Sequence, residues 1–504
     1  MTLAPNSAGG GAGENDGSFE RRPQLCSQLA LDQADTARVL LENYYNSSVA
    51  SAVERNKRRT AFESRLAADK GSEERRQREQ INFGRREAAF LRLRRTKIGP
   101  GDFNTLAMIG IGAFGEVRLV QKTDTAKIYA MKKMLKSRMR SEGHLAHVRA
   151  ERDILAGSDS PWVVGLHYSF QDPMYLYLIM DYLPGGDFMN MLIANDTFAE
   201  NVTKFYMAEC VLAIENIHAL GFIHRDIKPD NILIDRDGHL KFTDFGLSTG
   251  FHRTHDSNYY KHLLEHTPAS DRPLQNTVNT IHLTMSNRAQ FQSWRKSRRL
   301  LAYSKVGTPD YLAPEVFTQN GYSHECDWWS LGAIMYECLV GYAPFASDNE
   351  IETYQKIMRW QEYLTFPEEI CLSPEAEDLI RSLLTVDTER LGRGGASEIK
   401  AHPFFADVDW DMLRHMQAPF VPRLESVTDT SYFPTEDFKP VRIDDEDTTT
   451  MDGSGSNSPV TPYRQQAMDV LSKDNLPFIG YTYARFNFLE VSNFNSSRRV
   501  STPY

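Results

Sequence analysis

Apolar residues between about 33 and 97 fall at helical spacing. Leu41, Tyr45, Val49 and Val53 recur every four residues, and Phe62 and Leu66 continue the step among Arg and Lys. A four-residue repeat places these side chains on one face of a helix with a basic flank beside it. A second helix is expected within 73–95, where Phe90 and Leu93 share a face, but Gly84 argues against one unbroken segment. From Phe103 to about Phe405 the pattern changes. Aromatic and β-branched runs such as YLYLIMDY come first, and longer helical stretches such as TKFYMAECVLAIENIHALG follow. That order predicts an α+β chain, with a strand-rich small lobe ahead of a helical large lobe.

The flanks read differently. Residues 1–20 are rich in Gly, Asn and Ser, and 441–460 carry Asp and Thr clusters with Gly-Ser pairs, so both are expected to be disordered or linkers. No repeat with a period of 20–50 residues is visible. The expected plan is a disordered N-terminus over 1–32, a basic helical region over 33–97, a catalytic domain over 103–405 and a C-terminal extension over 406–504. At 504 residues the chain has room for three domains of about 150 residues, or for one bilobal enzyme with extensions.

Composition adds two constraints. The formal charge of -10 hides a segregation, because residues 51–97 carry 15 Lys and Arg against 7 Asp and Glu. An acidic partner for that segment follows, with nucleic acid or anionic lipid as the competing reading. The five cysteines are scattered without Cys-x-x-Cys spacing, which points to a reducing compartment with neither a disulfide framework nor a zinc site. The start lacks an apolar signal core, Thr2 stands where myristoylation needs glycine, and no run of 18 apolar residues occurs. A soluble, intracellular protein without an integral membrane segment is therefore expected.

Candidate chemistry is concentrated in short motifs. Gly110-Ile111-Gly112-Ala113-Phe114-Gly115-Glu116-Val117 lies between apolar runs that read as strands, Leu106 to Ile109 and Val117 to Val120. Glycines there let backbone N–H groups close over phosphates. A Rossmann turn or an incidental hairpin shares the spacing. A Rossmann glycine run opens a helix, however, whereas this one leads into further strand sequence. ATP is thus expected against Ile109 to Gly115 and Val117. Lys132, in Tyr129-Ala130-Met131-Lys132, is expected on the third strand holding the α and β phosphates. Glu151 is its preferred carboxylate partner, with Glu142 and Asp153 as alternatives.

Three further motifs occur in order: His224-Arg225-Asp226-Ile227-Lys228-Pro229-Asp230-Asn231, Asp244-Phe245-Gly246 and Ala313-Pro314-Glu315. Asp226 would accept or orient the proton of a substrate hydroxyl, while Asn231 and Asp244 would hold Mg2+. Read structurally, these would be acidic and amide residues capping loops, but that reading does not account for the order. Lys228 can neutralise charge on a transferred phosphoryl group, and Thr308 in Gly307-Thr308-Pro309-Asp310-Tyr311 would steady that loop. This pairing resembles serine/threonine rather than tyrosine kinases. Glu315 with Arg390, and Asp327 beneath the catalytic loop, are assigned to architecture. The interval from Gly246 to Ala313 is far longer than a compact activation segment needs, with an insert over 247–303.

On these residues the chain resembles the AGC protein kinases, and within them the NDR/LATS family in its fungal polarity branch, over roughly residues 33–490. The resemblance rests on the basic helical segment, the long insert, the segment Ala302 to Tyr311, and Phe478-Ile479-Gly480-Tyr481-Thr482-Tyr483, which is similar to the AGC hydrophobic motif at 478–483. It implies a bilobal protein kinase fold with an AGC tail and binding of a Mob co-activator by 33–97. It also implies phosphorylation at Ser304 and, by an upstream sterile-twenty-type kinase, at Thr482. Arg225 lies where it could pair with a phosphate on Ser304. Lys305 departs from the family, where Thr is common, and Gly165 and His167 look atypical. The stretch Trp294 to Arg299 would be an autoinhibitory brake.

Substrates with a basic motif are implied, with Asp187 and Asp230 receiving an Arg three residues before the phosphoacceptor. Met180 precedes a hinge, Asp181-Tyr182-Leu183, where adenine is expected to bond to backbone. The expected protein is an ATP- and Mg2+-dependent serine/threonine kinase of polarity and morphogenesis signalling, cytoplasmic, with the nucleus and cell cortex as further sites. The rival is a Mob-binding pseudokinase scaffold.

Overall fold

The computed structural model describes residues 27–69, 71–112, 115–139, 142–158, 160–245, 249–250, 309–317, 323–347, 350–435 and 478–485. Ala113, Phe114, Ser304, Thr308 and the stretch 294–299 lie outside the described residues. The chain divides into two units.

The first unit contains helix α1 (Gln28–Ala68) and Phe478 to Gly480. The Ser27 hydroxyl accepts from the Ala30 N–H at 3.2 Å, so this cap sets the start of the helix. Apolar spacing puts the boundary near residue 33, whereas the helix begins at Gln28, because capping, not apolar spacing, defines a helix end. Leu41, Tyr45, Val49 and Val53 are 56%, 62%, 62% and 50% exposed. Their four-residue step therefore marks an uncovered apolar stripe, the kind of surface that serves docking.

The second unit opens with α2 (Glu73–Arg95), which runs unbroken through Gly84. The glycine costs about 1 kcal/mol against alanine. Glu73 and Glu74 in the first turn and the Arg75–Glu79 pair at 3.4 Å work in the opposite direction. The expected second helix is present, and Gly84 does not interrupt it.

A six-stranded sheet follows. Its strands are β1 (Phe103–Gly112), β2 (Gly115–Lys122), β3 (Ile128–Leu135), β4 (Leu166–Gln171), β5 (Tyr175–Met180) and β10 (Tyr483–Ala484), ordered β1-β2-β3-β5-β4-β10. Alternation splits neighbouring residues between its faces. Phe103, Val120, Tyr129, Met131, Phe170 and Ile179 fill one, while Ile109, Leu119 and Ala130 lie on the other. Helix α3 (Glu142–Gly157) lies between β3 and β4 in sequence.

The large lobe is built on α5 (Glu200–Ala219) and α6 (Glu325–Val340), preceded by the short α4 (Phe188–Asn195). Every residue of α6 from Cys326 to Val340 is buried, so it forms the centre of the lobe, and its Asp, Ser and Glu side chains are hydrogen-bonded there: Asp327 to the His224 N–H, Ser330 to the Tyr311 carbonyl and Glu337 to the Tyr311 hydroxyl. Two small two-stranded sheets frame the catalytic segment: β6 (Phe222–Ile223) pairs with β9 (Thr249–Gly250), and β7 (Ile232–Ile234) with β8 (Leu240–Phe242). Among the described residues no helix is long and apolar enough to cross a membrane.

Candidate active site

The glycine-rich segment is a strand-to-strand turn. Gly110 pairs with Val117, Ile111 with Glu116 and Gly112 with Gly115, and Val117 in turn pairs with Lys132 on β3. No helix begins there, which excludes a Rossmann turn. A Cβ on Gly115 would lie 1.8 Å from the Lys133 carbonyl oxygen, so this glycine is demanded by the backbone of β3. At Gly110 a Cβ would meet Val117 at 3.5 Å, an ordinary contact.

Lys132 reaches two carboxylates. Its Nζ is 2.8 Å from Glu151 Oε1 on α3 and 3.2 Å from Asp244 Oδ1. Of the three candidate partners, Glu151 makes the pair, and its side chain is 3% exposed. Burial works against the ammonium, but Asp244 and Glu151 together hold Lys132 above its ordinary value. Burial would raise Asp244, yet Lys132 and Lys228 hold it below the usual carboxylate range. Asp244 has a left-handed backbone, φ +59°, and Phe245 after it is fully buried with its ring 4.8 Å from that of His224.

The catalytic segment hangs from α6. Asp327, fully buried, accepts from the N–H groups of His224 at 2.9 Å and Arg225 at 2.8 Å. His218 Nε2 lies 2.8 Å from the same carboxylate, a partner that sequence reasoning missed. These bonds hold Arg225 at φ +69°, an uncommon conformation for a residue with a Cβ.

Asp226 is then gripped from two sides. Lys228 Nζ donates at 2.9 and 3.2 Å, and Asn231 Nδ2 donates to Oδ2 at 2.9 Å and to the Asp226 carbonyl at 2.8 Å. The Thr243 N–H donates to the Asn231 carbonyl at 3.0 Å, which ties this segment to the strand leading into Asp244. Burial opposes the Lys228 charge, and Asp226 and Asp230 raise its pKa regardless. With Nδ2 committed to Asp226, Asn231 keeps its amide oxygen as an acceptor. Together with the Asp244 carboxylate it offers hard oxygen donors of the kind Mg2+ takes.

Two further expected residues fall near one another. Asp187 caps α4, accepting from the Asn190 N–H at 2.7 Å, and α4 lies against the turn Pro229 to Asn231 that carries Asp230. Arg390, 1% exposed, forms a two-pronged pair with Glu315, as expected of an architectural bond.

The C-terminal extension contributes more than its sequence suggested. The Tyr182 hydroxyl donates to the Asp429 carbonyl, its ring stacks on Phe433 at 5.8 Å, and Phe433 packs against the cluster of Ile109, Leu119 and Ala130. The signal available was the aromatic run Tyr432-Phe433 in a polar stretch. Further on, Tyr483 pairs with Ser169 and Ala484 with Tyr168 at the edge of the sheet. The Ser169 hydroxyl donates to the Tyr481 carbonyl at 2.6 Å, and the Tyr483 hydroxyl donates to the carbonyl of Ala156 on α3 at 3.3 Å. Tyr481 is buried and Thr482 is exposed beside it.

This fold, with an ammonium shared by two carboxylates in its small lobe and a braced Asp226 in its large lobe, defines a protein kinase. Residues 103–268 and 289–405 match the protein kinase domain family. The chain is 56% identical over 512 residues to serine/threonine-protein kinase CBK1 of Candida albicans, covering 98% of this chain and 68% of that protein. It is 57% identical over 474 residues to CBK1 of Pneumocystis carinii (94% and 91%) and 52% over 474 residues to serine/threonine-protein kinase cot-1 of Neurospora crassa (93% and 77%). The chain belongs to the serine/threonine protein kinases, in the fungal branch of the NDR/LATS family.

Proposed function

We propose that this kinase transfers the γ-phosphoryl of ATP to serine or threonine in proteins with a basic motif, under control of a Mob co-activator and of phosphorylation, in fungal polarity and morphogenesis. The observation that carries the chemistry is Lys132 bonded to both Glu151 and Asp244 while Lys228 and Asn231 grip Asp226. Lys132 binds the α and β phosphates and Glu151 keeps it aimed. Asp226 orients the substrate hydroxyl and takes its proton, and Lys228 neutralises charge developing on the phosphoryl group. Asn231 and Asp244 would hold Mg2+, which when bound screens the β and γ phosphates. Ile109 to Gly115 and Val117 cover the nucleotide, and Asp187 and Asp230 supply negative charge for a substrate Arg.

The exposed stripe Leu41, Tyr45, Val49 and Val53, flanked by basic residues, supports Mob binding by α1. Exposure of Thr482 beside the buried Tyr481 suits an upstream sterile-twenty-type kinase, and Ser304 would be the activation-segment site. A scaffold without turnover is disfavoured because Lys132, Glu151, Asp226, Asn231 and Asp244 are all present. Phosphorylation of a basic-motif peptide by the wild type and by Asp226→Asn is the test. The variant is expected to lose at least about a hundredfold in kcat, and equal rates would overturn the assignment.

A further inference from the structure

Asp181, the first hinge residue, is tied to both lobes. Its carboxylate accepts from the Gly165 N–H at 3.1 Å and lies 2.7 Å from His167 Nε2 and 3.3 Å from Lys241 Nζ. Its own N–H donates to the Gly165 carbonyl at 3.0 Å. Gly165 and His167 flank the start of β4, whereas Lys241 belongs to β8, the strand that leads to Asp244. Burial would raise Asp181, but His167 and Lys241 push it down to about 2. The charged carboxylate therefore joins the sheet edge, the hinge and the large lobe at one point.

The C-terminal strand reaches the same point. The Arg485 N–H donates to the His167 carbonyl at 2.7 Å, and Arg485 Nη2 donates to the Ser158 carbonyl at 2.7 Å. A Cβ built on Gly165 would lie 2.8 Å from Asp181 Oδ2 and 3.0 Å from Arg485 Nη1. Two side chains of opposite charge thus occupy the niche that a side chain at 165 would take. Gly165 and His167, the two positions that look atypical in the sequence, are the ones that make this niche.

We propose that Asp181 is a positioning residue for nucleotide binding, and that Arg485 makes its setting depend on the docked C-terminal strand. The strand bonds to β4 at His167, and His167 and Gly165 hold the Asp181 carboxylate. That carboxylate in turn sets the backbone of Asp181 to Leu183 against Lys241 of the large lobe. This rests on the reading of Asp181 to Leu183 as the segment that bonds adenine. It is separate from the bond between the Tyr483 hydroxyl and the Ala156 carbonyl, which ties the same strand to α3, the helix that carries Glu151. The hinge route acts on ATP binding, so its signature is a change in KM for ATP at nearly constant kcat.

Steady-state peptide phosphorylation by the full chain tests it. Arg485→Ala and Asp181→Asn are each expected to raise KM for ATP by about tenfold with kcat held within about twofold, and the double variant no further than the larger single. Multiplying effects, or unchanged KM in either single variant, would overturn the proposal. Gly165→Ala keeps every charged group and meets only side-chain atoms, the Asp181 carboxylate and the Arg485 guanidinium, rather than backbone, so it should fold. The same KM rise is expected for it, and a wild-type KM would count against the niche. By reciprocity, ADP should slow hydrogen exchange at the Arg485 amide in the wild type and not in Asp181→Asn. Equal protection in both would also refute the link. Asp226→Asn tests the phosphotransfer reading independently, since none of these bonds involves Asp226.

Discussion

Asp327→Asn isolates how far a residue remote from the phosphates governs the chemistry. The wild-type carboxylate spreads its two oxygens over three nitrogen donors, Arg225 N–H at 2.8 Å, His224 N–H at 2.9 Å and His218 Nε2 at 2.8 Å. An amide has one acceptor oxygen, so at least one buried N–H faces an NH2 group instead. Leaving a buried donor unmade costs about 1–3 kcal/mol. Arg225 at φ +69° has its own strain of about 1–3 kcal/mol to release once that hold weakens. The loop that relaxes carries Asp226, so the loss should appear in kcat, by about ten- to a hundredfold at 1.36 kcal/mol per decade. KM for ATP should stay within about twofold, because Lys132, Glu151 and Asp244 make no bond through Asp327. Peptide phosphorylation against ATP concentration, with thermal melting alongside, separates the two effects. Arg390→Ala is the control, since it opens a buried pair with Glu315 and should lower the melting temperature. If Asp327→Asn melts early yet keeps wild-type kcat, Asp327 supports the lobe alone and the reasoning fails.

Two further outcomes are expected. Gly115→Ala places a Cβ on the Lys133 carbonyl and should destabilise the small lobe by about 1–3 kcal/mol, whereas Gly110→Ala meets only Val117 at 3.5 Å; equal melting temperatures for the two would refute the packing account. The second concerns acid. Asp181, Asp244 and Asp327 are all held below the ordinary carboxylate value in the folded chain. A depressed folded pKa gives stability that is present above the unfolded value, near about 4, and is lost as pH falls through the folded one. For Asp181 that window runs down to about 2. Melting temperature should therefore fall more steeply between pH values of about 4 and 2 in the wild type than in Asp181→Asn, and parallel curves would contradict the assignment.

What was legible beforehand divides along physical lines. The strand-then-helix order, the glycine hairpin, Lys132 with Glu151, and the Asp226 to Asp244 set were all readable because each sits in a short motif whose spacing is set by local backbone. The start of α1 was misplaced because a single cap, Ser27, decides it, and apolar period carries no information about caps. The second helix is legible within 73–95, and Gly84 does not divide it because a penalty of about 1 kcal/mol is easily outweighed over 23 residues.

The remaining omissions share one cause, and it bears on how this site is controlled. Lys132 meets Asp244 across 112 positions of sequence, His218 meets Asp327 across 109, and Ser169 meets Tyr481 across 312. No window of periodicity spans such intervals. Phe433 against Tyr182, and Arg485 beside Gly165, belong to the same class, and both come from a C-terminal extension whose composition reads as tail. The catalytic groups are therefore local and legible, whereas the groups that hold the hinge and the sheet edge come from far along the chain. That separation suits regulation, because a distant segment can undock without unfolding the motifs, and only what it positions is lost. Removing Arg485 should then leave the Lys132–Glu151 pair formed while loosening the hinge. The KM-against-kcat split is the measurement that distinguishes such undocking from damage to the catalytic groups themselves.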